Sequence, residues 1–231
     1  MVAIDWLRTT LCVAIFAFGI WSVLTFDFDD AVIRAIFLGF TLLYAFLFFP
    51  ARKGGRTSFE LVLDVLAAVL GLAVALYIAI DFEAVFDRAG AVNTLDLLVA
   101  GAAIVLIIES TRRTAGLALP LLSIVFLLYP LLYGTWLPGL LRTSSFGLER
   151  ILTQQYLSLD GILGPALKVM IEYIFLFIVY GAFLQRFGVT EFFIDLAKSI
   201  AGSRKGGSAK VAVAASGLMG TVSGSAVANV V

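Results

Sequence analysis

The residues best suited to chemistry lie at the C-terminal end, in the run Ser223-Gly224-Ser225-Ala-Val-Ala-Asn229. Serine hydroxyls, a carboxamide oxygen and glycine-loosened backbone carbonyls form a hard-oxygen set, which suits a hard monovalent cation such as sodium. The N-terminus of a half-helix beside them suits an anionic substrate. The same residues also suit close helix packing, where small side chains let helices approach and Ser or Asn bonds across the contact. Other chemistries lack their parts. The chain has no histidine and one cysteine, Cys12, which leaves no His-based triad, no thiolate metal cluster and no intrachain disulfide. Neither a G-x-S-x-G elbow nor an H-E-x-x-H motif occurs, so the sequence does not read as an enzyme.

The elements that position this run must be membrane helices. Hydrophobic residues make up 61% of the 231 residues and charged residues 14%, with a mean hydropathy of +1.06. Ordinary soluble domains are about 45–50% apolar, and a chain of this size could not hide so much apolar surface from water. A net charge of zero and the absence of a long basic stretch exclude an electrostatic footprint for nucleic acid. The fold class expected is an all-α integral membrane protein with the lipid bilayer as its solvent.

Six apolar runs are long enough to read as transmembrane helices. They are Leu11–Phe26, Ala31–Phe49, Leu61–Ile80, a short one at Leu95–Ile108, Ala115–Tyr133 with Pro120 and Pro130 inside it, and Ala166–Leu184. Two stretches are amphipathic and read as interfacial helices. In Ser145–Leu159, Leu148, Ile151, Leu152 and Leu159 oppose Glu149, Arg150, Thr153 and Gln154. In Val189–Ile200, Val189, Phe192, Phe193, Leu196 and Ile200 oppose Glu191, Asp195 and Lys198.

Basic residues orient the spans, because Lys and Arg concentrate in cytoplasmic loops. Arg52, Lys53 and Arg56, then Arg112 and Arg113, then Arg186, Lys198, Arg204, Lys205 and Lys210 mark alternate loops, whereas Asp27, Asp29, Asp30, Asp81, Glu83 and Asp87 mark the intervening ones. Six spans with a cytoplasmic N-terminus satisfy this pattern, with Arg34, Arg88, Arg142 and Arg150 against it. Trp6, Trp21 and Trp136 fit aromatic belts at the membrane surfaces.

After the sixth span the apolar stretch Val211–Met219 is only about 13 Å of helix by its rise. The expectation is that the chain unwinds or turns near Gly217, Gly220 and Gly224. Unwound backbone at membrane depth persists only where protein buries it or a watery cavity meets it.

The run from Ala209 to Val231 resembles the first helical hairpin of the large permease subunit of TRAP transporters, most of all the fused four-plus-twelve-helix permeases that work with TAXI-type binding proteins. The likeness is specific from about Leu119, through Leu-Leu-Ser-Ile-Val-Phe-Leu-Leu-Tyr-Pro, and coarse before it. It implies a four-helix, small-subunit-like scaffold over 1–110 and the start of a large-subunit-like transport region over 111–231, with a re-entrant hairpin of an elevator-type transporter. It also implies a sodium-coupled importer of organic anions such as carboxylates, in the bacterial or archaeal cytoplasmic membrane. A periplasmic TAXI-type substrate-binding protein would supply it, and the remainder of the permease would follow Val231. No resident cofactor is expected. The coupling ion would be sodium, at Ser223, Ser225 and Asn229, with Gly224 giving the backbone its freedom. The competing reading is a non-catalytic membrane scaffold within a larger complex.

The remaining ionisable groups read as structural. Lys168 and Glu172, four apart, are expected to form an interfacial ion pair. Asp64, Glu109 and Asp96 lie near helix ends, where solvated or loop-paired roles are expected.

Overall fold

The structure is a computed structural model that describes residues 2–25, 29–52, 57–88, 92–133, 146–201 and 206–222. Every regular element among them is helical. The expected all-α class is therefore correct. Five helices are long and apolar enough to cross a membrane: Asp5–Leu24, Asp30–Phe48, Ser58–Ile80, Thr94–Ala115 and Pro165–Arg186; a shorter apolar helix spans Ala118–Leu131. Contacts divide the chain into two compact units, Met1–Lys168 and Val169–Val231.

The first unit is built on α1 (Val2–Leu24), α2 (Asp30–Phe48), α3 (Ser58–Ile80), the short α4 (Phe82–Asp87) and α5 (Thr94–Ala115). Lipid does not drive helices together, so close van der Waals contact at small residues must do it. The α2–α3 contact shows this: a Cβ on Gly39 would come within 2.7 Å of the Ala75 Cβ, and one on Gly71 within 3.0 Å of the Leu42 Cβ. Ala35, Ala68, Ala100 and Ala103 are also buried in this core, around Phe46 and Ile78. Sequence-encoded caps start the helices. Thr57 and Glu60 exchange bonds at the head of α3 (Thr57 N to Glu60 Oε2 2.9 Å, Glu60 N to Thr57 Oγ1 3.3 Å), and the Asn93 N–H donates to Asp96 Oδ2 at 3.0 Å on α5.

Helix α5 is longer than the expected fourth span, because Glu109, Arg112 and Arg113 are helical rather than loop residues. Gly116, at φ +84°, ends it in a conformation other residues avoid. Next come α6 (Ala118–Leu128) and a π-helical turn, Tyr129–Tyr133. Pro120 sits in the first turn of α6, where a missing N–H costs nothing. Pro130 falls within the π turn, consistent with its lack of a donor and its clash with the preceding turn.

Helix α7 (Leu148–Tyr156) is amphipathic, with Glu149, Arg150 and Gln154 exposed. Its Tyr156 is fully buried and donates to the Val74 carbonyl of α3 at 3.0 Å, and Ile151, Leu157 and Leu163 are buried with it. Burial of these apolar side chains docks the segment into the bundle, and the Tyr156 hydroxyl is satisfied there by a backbone acceptor. The following turn is tight: a Cβ on Gly161 would lie 2.3 Å from the Gln155 carbonyl oxygen and 2.5 Å from that of Gln154. The short α8 (Pro165–Val169) opens the last long span.

The second unit continues that span through a π-helical turn, Met170–Phe175, into α9 (Leu176–Arg186), followed by α10 (Val189–Ala201) and α11 (Gly207–Val222). Helix α10 has the expected extent; Phe192 and Ile200 of its apolar face are exposed and Ala197 is fully buried. Its partner is α11, which needs a small residue at the point of approach.

Candidate functional site

The sequence points to the segment that follows α11 in the chain. Val211, Ala214, Ala215, Leu218 and Met219, spaced three and four apart, form the less exposed side of α11, with Ala215 and Met219 buried. Ser216, Gly217, Gly220 and Thr221 form an exposed face of small and polar groups. Thr221 returns its hydroxyl to the Leu218 carbonyl at 2.6 Å, which satisfies it within the helix.

The helix does not unwind at Gly217 or Gly220, contrary to expectation. It runs unbroken from Gly207 to Val222, about 24 Å by helical rise rather than about 13 Å. A glycine costs a helix only about 1 kcal/mol, and Ala, Leu and Met around these two restore the propensity. Ser223, Gly224, Ser225 and Asn229, the proposed ion and substrate residues, lie outside the described residues, as do Trp136, Lys53, Arg56, Arg204 and Lys205.

The family model for the DctM component of the tripartite ATP-independent periplasmic transporter matches residues 102–231, more than half of the chain. The chain belongs to this family. It is accordingly a membrane component of a transporter rather than an enzyme, and family and helices together make it a multi-pass protein of the bacterial inner membrane. No curated protein and no solved structure matches it. The match begins inside α5 and covers everything that follows, including α10, α11 and the Ser-Gly-Ser run.

The charged residues of this DctM-family chain hold its frame, at two separate ends of the first unit. At one end, Asp64 on α3 is 2% exposed rather than solvated, and Arg113 on α5 reaches it at 2.5 Å. Arg113 also bonds Glu109 at 2.8 Å and the Phe49 carbonyl at 3.3 Å, and its guanidinium lies 4.8 Å from the centre of the Phe46 ring. Glu109 in turn holds Arg112 at 2.7 Å. These contacts tie α2, α3 and α5 together through one guanidinium, whose planar fork suits several acceptors at once.

At the other end Asp96 is 1% exposed and accepts from the Tyr77 hydroxyl and, in a loop pairing as expected, from Arg88 just beyond α4 at 3.4 Å. That contact holds the Arg88 guanidinium above its ordinary pKa, through the hydrogen bond first and the carboxylate's charge after it. Lys168 reaches Asp30 on α2 at 2.5 Å. Arg34 bonds the same carboxylate at 2.8 Å and donates to the Leu163 carbonyl at 2.8 Å. Arg34, Arg88 and Arg150, which stood against the topology, therefore have local reasons for their positions: two carboxylate partners, and for Arg150 the Phe146 ring at 4.7 Å. Arg34 was missed as an anchor. The signals were its carboxylate four residues earlier and its place inside an apolar run, where a charge must find a partner.

Proposed function

We propose that this chain is the permease of a sodium-coupled importer of organic anions such as carboxylates, fed by a periplasmic substrate-binding protein of the TAXI type. In this reading residues 1–110 act as the scaffold a small subunit would provide, fused to the large-subunit-like region over 111–231, and the N-terminus is cytoplasmic. The observation that carries it is α11, an unbroken helix that delivers the chain to Ser223-Gly224-Ser225 within the family-matched region.

A helix of about 24 Å spans most of a hydrocarbon layer about 30 Å thick. Ser223, Gly224, Ser225 and Asn229 then follow where backbone carbonyls freed by a turn would need partners. A sodium ion supplies one, with the Ser and Asn oxygens completing its shell, and the positive charge favours an anionic substrate beside it. Sodium is a transported ion here, and its gradient supplies the driving force. Uptake by proteoliposomes carrying the transporter and its binding protein tests this. A sodium gradient and the binding protein should both be required for organic anion accumulation. Uptake that ignored sodium would remove the coupling assignment, and uptake unaffected by omitting the binding protein would remove the partner.

A further inference from the structure

Two cavities abut along α6. One, of ≈ 290 Å³, runs between α5 and α6 with Ile104, Ile108 and Pro120 in its walls. The other, of ≈ 270 Å³, lies beside Pro130, Phe146 and Arg150. Phe126, Leu127 and Gln155 line both, so the two form one groove. From Pro120 to Pro130 it extends about 15 Å by helical rise.

Its one charged lining residue stands at one end. At the Pro120 end the hydroxyls are already spent: Thr111 donates to the Ile107 carbonyl at 2.7 Å and Ser123 to the Leu119 carbonyl at 3.0 Å. That leaves a channel walled at this end mainly by isoleucine, leucine and proline side chains. At the α7 end stand the Gln154 and Gln155 amides and the Arg150 guanidinium, stacked on Phe146. Stacking restrains the guanidinium while leaving its edge donors available, and its fork matches the oxygens of a phosphate or a carboxylate. Glu149 does not line the groove. An occupant must therefore be long and apolar for most of its length and anionic at one end.

We propose that this groove binds an anionic phospholipid, with one acyl chain lying between α5 and α6 and the phosphate held by Arg150. Filling it would complete the packing between the fourth apolar helix and the shorter α6, which is too brief to span the bilayer on its own. None of the residues that line the groove belongs to the proposed ion site.

The test is native mass spectrometry of the delipidated chain titrated with phosphatidylglycerol or with phosphatidylcholine of identical acyl chains. The parent should retain phosphatidylglycerol in preference. Arg150→Gln should weaken that binding about tenfold, the effect of one lost charge-assisted hydrogen bond, and leave the two lipids equal. Ser123→Trp, which fills the channel, should reduce both lipids, and inorganic phosphate should not displace them. Equal affinity of the parent for the two lipids would overturn the proposal, as would an Arg150→Gln variant of unaltered preference. Arg150 is exposed on α7, so that variant should retain its fold if Ser123→Trp does not.

Discussion

Removing Arg113 should be among the most damaging single changes to the first unit. Its side chain is 7% exposed and the Asp64 side chain 2%, so water cannot take over the role of either partner. Breaking a buried pair from one side costs about 3–5 kcal/mol, because a charge is left without its counter-ion. The two sides should differ. Without Asp64, Arg113 still has Glu109 and the Phe49 carbonyl, which places Asp64→Ala near about 3 kcal/mol in that range. Without Arg113, Asp64 loses its guanidinium and Phe46 its cation, which places Arg113→Met near about 5 kcal/mol. The double variant removes both charges and should cost clearly less than the two singles together. The assay is thermal unfolding of detergent-purified protein, followed by tryptophan fluorescence for the parent, both singles and the double. Additive losses, or an Arg113→Met variant as stable as the parent, would show that the pair does not hold α3 to α5.

Other contacts make independent predictions. Tyr156→Phe should cost about 1 kcal/mol by the same assay, the net value of one hydrogen bond, with no change in helical content. Gly39→Leu should block α2–α3 packing, and the small exchange Gly39→Ala with Ala75→Gly should be tolerated better than Gly39→Ala alone, read as yield of folded protein. In a Cys12→Ala background, which removes an exposed native thiol, cysteines replacing Gly54 and Glu83 should react with an impermeant thiol reagent from opposite sides of the membrane. Labelling of the Gly54→Cys variant from outside intact cells would reverse the topology.

The membrane class and the positions of the apolar helices were legible because a bilayer demands runs of apolar residues and the sequence contains them. Helix ends were less so. The fourth span read short because Glu109, Arg112 and Arg113 resemble loop residues until one sees that they neutralise one another and Asp64 on helical spacing. Helix α11 read short because its glycines were given more weight than the alanines and large apolar residues beside them. Long-range partners could not be read at all: Tyr156 with Val74, Arg34 with Leu163 and Lys168 with Asp30 join positions 82, 129 and 138 residues apart. The Ser-Gly-Ser run itself was visible from composition alone, since small polar residues interrupt an apolar stretch there.

The central claim, that Ser225 and Asn229 complete a sodium site beyond α11, is tested most directly by the sodium dependence of uptake in the transporter assembled with its binding protein. Ser225→Ala and Asn229→Ala should each raise the sodium concentration for half-maximal uptake, by about tenfold for the loss of one ligand oxygen worth about 1.4 kcal/mol, with membrane insertion unchanged. If both variants keep the parental sodium dependence while Gly224→Val still impairs folding, these residues serve helix packing and the ion-site assignment is wrong.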